Sequence, residues 1–190
     1  MKRKIVIILT ILICSLSIVS LAWADAQHLF TGGYPASDIQ DLRYVLSGGD
    51  SSYQQNIMKA GANQWNSISS EVVLSNNSSG AKMSIYKSTT STPGLFGEAY
   101  CYYDGGDGWE RDLVGNQIWG VSDIYGYDNQ MTASNLTNAQ KKAVFTHEVG
   151  HALSLKHISS PLTGVMRQGL EKALSPTDTD EGHLTLKWGY

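Results

Sequence analysis

Three of the chain's five histidines fall in one eleven-residue stretch, "HEVGHALSLKH", from His147 to His157. His147 and His151 are four residues apart, so on a helix their imidazoles share one face, one turn from each other. Two such ring nitrogens reach a single zinc ion at about 2 Å each. Glu148 is the next residue round. Its carboxylate is poorly placed to join the same two ligands but well placed to reach a water molecule at the open position that a catalytic zinc keeps. That is the logic of the H-E-x-x-H pattern. Two ligands are one too few, and His157, six residues past His151, supplies the third if the chain reverses beyond the helix. The bland alternative is a pair of unrelated histidines on a helix; the full spacing with three histidines argues against it.

A helix is required to hold this set, and its start is legible. Thr137 and Gln140 form a capping box pattern, which predicts a helix from Asn138 to about Leu153. Upstream, Leu42, Tyr44 and Leu46 alternate as in a strand. Asp50, Ser51 or Ser52 is placed to cap a helix, in which Tyr53, Ile57, Gly61, Trp65 and Ile68 recur at helical spacing. "EVVLS", "KMSIYKS", "GLFGEAYCYY" and "NQIWGVSDIYGY" read as strands, and "DGGDGWERDLVG" as a loop. "SPTDTDEGHLTLKWGY" has a cap, a proline and an acidic first turn, which predicts a short C-terminal helix. The order predicts an α+β domain with one sheet packed by two helices.

Lys2, Arg3 and Lys4 precede an apolar run from Ile5 to Ala22, followed by small-x-small sites at Ala24 and Ala26. Residues 1–24 therefore read as a secretory signal peptide, with residues 25–190 as one domain; an uncleaved membrane anchor is the alternative. Of 14 Lys and Arg against 17 Asp and Glu, three basic residues lie in that leader, leaving a net charge of −6. With no basic block left, nucleic acid and anionic membrane are not expected partners. Of the chain's 2 cysteines, Cys14 lies in the leader, so Cys101 has no partner for an intrachain disulfide and reads as a buried small apolar residue. His28 and His183 stand alone and read as surface histidines. Asp104 and Asp107 offer hard oxygens for calcium, against the simpler reading of a turn.

The string "HEVGHALSLKH" resembles the zinc signature of the metzincin metalloproteases, H-E-x-x-H-x-x-G-x-x-H, and within that clan it is most similar to the matrixins. The resemblance extends to Met166 in "LTGVMRQG" as the Met-turn, to "FGEAYCY" as the strand that edges the substrate cleft, and to "SPTDTDEGHLTLKWGY" as the closing helix, with Asp180 at an acidic position. It implies a twisted five-stranded mixed sheet, an active-site helix, a first helix and a short C-terminal helix. It also implies one zinc ion, a protein or peptide substrate paired along Gly97, Glu98, Ala99 and Tyr100, and a secreted, monomeric endopeptidase with Glu148 as base. A zinc-stabilised binding module without catalysis is the alternative, which an intact Glu148 disfavours. Another peptidase type would use a glutamate as third ligand, with Glu171 as candidate, but the helix motif expected around it is missing. One departure stands out: Ser154 occupies the signature's glycine position. If Ser154 takes a positive φ, the strain is about 1–2 kcal/mol, small beside the roughly 10 kcal/mol of a structural zinc site. No cysteine-switch propeptide is visible.

Overall fold

The computed structural model describes residues 25–169 and 172–189. The proposed leader, and Glu171 as a ligand, lie outside the described residues. No helix among those described is long and apolar enough to cross a membrane.

A short helix α1 (Ala36–Ile39) leads into strand β1 (Leu42–Ser47), whose Leu42 and Tyr44 are fully buried. Asp50 then accepts the Tyr53 amide and starts a helical rod. The rod consists of α2 (Ser51–Tyr53), a wide π segment (Gln54–Lys59), α3 (Ala60–Ala62) and a tight final turn (Asn63–Trp65). Its buried side chains, Ile57, Met58, Ala62 and Trp65, fall on the face anticipated from their spacing. Next come β2 (Leu74–Asn76), β3 (Met83–Ser88), β4 (Gly97–Asp104), β5 (Trp109–Arg111) and β6 (Val121–Tyr127). Helices α4 (Asp128–Ala133), α5 (Asn138–Ala152) and α6 (Asp178–Trp188) follow.

The fold is mixed α+β, and its sheet has six strands in the order β2-β1-β3-β6-β4-β5. That corrects the expected five. The added strand, β5, lies in the glycine-rich segment read as a loop, where Trp109, Glu110 and Arg111 pair with Asp104, Tyr103 and Tyr102. Strands β1, β2, β3 and β6 run parallel, and β4 lies antiparallel to both its neighbours. One sheet face carries Tyr44, Met83, Ile85 and Ile124, all fully buried, against α5 and the helical rod. Helix α5 is buried at every position from Ala143 to Gly150, as befits a central helix rather than a surface one. The rod approaches it closely at Gly61, where a Cβ would sit 2.9 Å from the Lys142 carbonyl oxygen. The Trp65 indole donates to the Thr146 carbonyl at 2.8 Å and fixes the rod's height along α5, one residue before His147.

Candidate metal centre and cleft

Helix α5 begins with the anticipated capping box: the Gln140 amide meets Thr137 Oγ1, and Gln140 Oε1 accepts the Thr137 amide at 2.9 Å. Its far end carries the histidines. The helix closes with two reversed bonds, Leu155 N–H to the Gly150 carbonyl and Ser154 N–H to the His151 carbonyl, both 3.0 Å. Ser154 adopts the left-handed conformation this closure requires, with φ of 69°. The chain therefore reverses sharply there, as a glycine would allow, and returns His157 to the helix face.

The three imidazoles converge. His157 Nε2 lies 3.0 Å from His147 Nε2 and 3.2 Å from His151 Nε2. The other ring nitrogens of the helix pair are committed: His147 Nδ1 donates to the Val165 carbonyl and His151 Nδ1 to the Leu155 carbonyl, each at 2.7 Å. Both Nε2 atoms are then lone-pair donors aimed inward. His157 can offer a proton to one of them at a time, whereas a single cation meets all three lone pairs at once. The spacing is close to the roughly 3.4 Å between nitrogens of a tetrahedral zinc site with bonds near 2.0–2.1 Å. The donor set therefore fits a metal ion, and among the described residues it is the only such group of three or more. Burial pushes the His147 imidazole well below the ordinary range and His151 down to about 4, and their mutual repulsion and that of His157 add to this. His157 is also lowered, by burial and by Lys172. All three shifts favour the neutral imidazole, the form that ligates.

Glu148 stays outside the ligand group, 6% exposed, with its side chain against β4. A Cβ on Gly97 would lie 2.7 Å from Glu148 Cγ, so a glycine there is what admits the carboxylate. Burial raises the Glu148 carboxyl, with Lys172 opposing and Glu98 reinforcing the shift. His147, His151, His157 and Glu148 line one wall of a cleft of about 880 Å³, and Gly97, Glu98, Ala99 and Tyr100 line another. On one side these β4 residues pair with β6, while β5 covers only Tyr102, Tyr103 and Asp104 on the other. Among the described residues nothing pairs with the Gly97–Tyr100 edge on that side, so β4 is an edge strand there for half its length.

Met166 is 1% exposed, and its sulfur packs against the Gly150 backbone beneath the histidines. Its carbonyl accepts the Ile158 amide at 3.2 Å, tying the residue next to His157 to the same turn. The buried Asp180 carboxylate accepts the Val165 amide at 2.8 Å and the Met166 amide at 3.2 Å. One carboxylate therefore braces the turn that orients His147. In the sequence Asp180 showed only as an acidic first-turn residue, a role it also fills by accepting the Thr177 amide at 2.9 Å.

Other expectations meet mixed outcomes. Asp104 accepts the Gly106 amide at 2.9 Å in a turn, and neither it nor Asp107 belongs to a metal-capable group among the described residues. Cys101 is buried and its thiol is raised by burial. His183 is a correction: it is 2% exposed, and its ring packs 5.1 Å from that of His28. Helix α6 turns its Leu184 face inward and carries His183 with it, which an isolated histidine in a polar run does not reveal. The segment before β1 was also missed. Phe30 N–H donates to the Ser154 carbonyl at 2.8 Å, the Ser154 hydroxyl donates to the Gly32 carbonyl at 3.0 Å, and the Phe30 ring stands 6.3 Å from His151.

The site's family must be judged on these residues: no protein-family model matches the chain, and a search of curated proteins finds no match for it.

Proposed function

We propose that the chain is a secreted, zinc-dependent endopeptidase, similar in plan to the matrixin-like metzincins. One observation carries this reading: three histidine Nε2 atoms converge beside a carboxylate outside their group, at a strand edge without a partner among the described residues. An extended peptide adds to the Gly97–Tyr100 edge by main-chain hydrogen bonds. When bound, zinc supplies Lewis acidity and lowers the pKa of water. Glu148 takes a proton from the attacking water and passes it to the leaving amine nitrogen. The raised pKa of its buried carboxyl suits a group that must both accept and return a proton. Residues 1–24 direct export, and the mature chain acts as a monomer on protein or peptide substrates.

The test is metal content and casein cleavage by the purified protein, with Glu148→Ala as control. One zinc per chain and hydrolysis lost in the variant support the proposal. Zinc without cleavage of varied substrates would indicate a binding module, and absence of stoichiometric metal would overturn the whole reading.

A further inference from the structure

The lining of the cleft also includes Lys172, half-buried, with Gln168 and Gly169. Among the described residues its ammonium makes no salt bridge and no hydrogen bond. Apart from Glu148, the other charged groups of the cleft are engaged. Arg111 lies over the Tyr100 ring at 3.7 Å, and Lys156 over the Phe30 ring at 5.4 Å. Glu98 accepts the Tyr127 hydroxyl at 2.6 Å, and Asp112 accepts the Trp119 indole at 2.9 Å. Lys172 lines the same cleft as Glu148 and the three histidines. Burial disfavours the Lys172 ammonium and the Glu148 carboxylate opposes this without a salt bridge between them, so a substrate carboxylate entering the cleft supplies a direct partner. A peptide extended along the Gly97–Tyr100 edge turns alternate side chains into the cleft that Lys172 also lines.

Resting on the peptidase reading, we propose that Lys172 is the specificity-determining residue of the cleft, recognising a substrate carboxylate within one residue of the scissile bond. Two sources share that chemistry. An Asp or Glu side chain would make the protein an endopeptidase selective for acidic sequences. A C-terminal carboxylate would make it trim chain ends.

The experiment uses quenched fluorescent peptides carrying Glu, Gln or Lys at each position flanking one cleavage site. Each is made with an amidated and with a free C-terminus, the latter also shortened to end one residue past the site. For the wild-type protein the Glu peptide should exceed its Gln counterpart in kcat/KM by about ten- to a hundredfold, the range for a charge-assisted hydrogen bond. Lys172→Met should remove the difference, and Lys172→Glu should transfer the preference to the Lys peptide. A preference for the short free-acid peptide alone, lost in both variants, assigns the terminal carboxylate as the source. Equal rates for Glu, Gln and free-acid peptides, or a preference that survives Lys172→Met, would overturn the proposal. If nothing is cleaved, the peptidase reading has failed, and binding decides the role of Lys172 separately. With labelled peptides and Glu148→Gln protein, an acidic preference in Kd that Lys172→Met abolishes supports it; equal or undetectable binding overturns it.

Discussion

The Asp180 carboxylate holds the Val165 amide at 2.8 Å, and the carbonyl of that same Val165 holds His147 Nδ1 at 2.7 Å. A side chain on the last helix thus orients His147 on the central one through the backbone of a single residue. Asp180→Asn keeps the shape but substitutes an NH2 group for one acceptor oxygen. The expected outcome is a loss of about 1–3 kcal/mol of stability from unpaired buried amides, and a fall in zinc affinity of about 10–100-fold, as for outer partners of metal ligands. Chelator competition and urea unfolding measure the two. Unchanged affinity would mean that His147 is oriented by packing alone.

His157 stands on the returning chain and not on the helix, so its removal tests the three-ligand set. His157→Ala should lower zinc affinity by more than the roughly hundredfold typical of an outer partner, while circular dichroism retains the helical signal. An affinity within threefold of wild type, a rough threshold of about 0.6 kcal/mol, would reopen the identity of the third ligand.

Ser154 separates two effects that act on one residue. Ser154→Ala loses the hydroxyl bond to Gly32, at a cost of about 1 kcal/mol, and keeps the left-handed strain. Ser154→Gly loses the same bond and relieves about 1–2 kcal/mol of that strain. The glycine variant is therefore expected to be the more stable of the two by about 1–2 kcal/mol. Urea midpoints decide it, and an alanine variant as stable as the glycine variant would remove the strain account.

The metal-free protein should show a pH optimum of stability set by opposing groups. His147 and His151 titrate below the ordinary 6.5 when folded, so below that pH the unfolded chain binds more protons and stability falls on acidification. Glu148 titrates above its ordinary 4.5, so its contribution falls as pH rises through the neutral range. Denaturation of chelated protein across a range that brackets the ordinary 4.5 of Glu148 and 6.5 of the histidines should show both limbs. In Glu148→Gln the decline above 6.5 should flatten; a decline identical to that of wild type would assign it to another group.

What the sequence revealed and what it concealed divide along the range of the interactions. The capping box at Thr137, the helix face of Ile57 and Trp65, and the histidine spacing are local, and each appears where expected. Strand β5 is three residues long and exposed, and exists because β4 offers it a partner, so glycine content alone hid it. Helix α4 was missed for a like reason: it is held by distant groups, with buried Met131 beneath it and Asp128 bound by Lys87 at 3.1 Å and Lys141 at 2.6 Å. The brace from Asp180 to Val165 and the position of Lys172 in the cleft join segments that no periodicity connects. Ser154 was recognised as an anomaly, but its hydroxyl bond to Gly32 spans 122 positions and became visible only in three dimensions.

Lys187 Nζ donates to the Phe30 and Gly32 carbonyls, each at 2.9 Å, beside the bond between Ser154 and Gly32. The two ends of the described chain therefore meet behind the metal ligands. Synthesis delivers residue 30 long before residue 187, so a growing chain carries the histidines before it carries what steadies them. Topology thus postpones the support of the three-histidine group until residue 187 has been made.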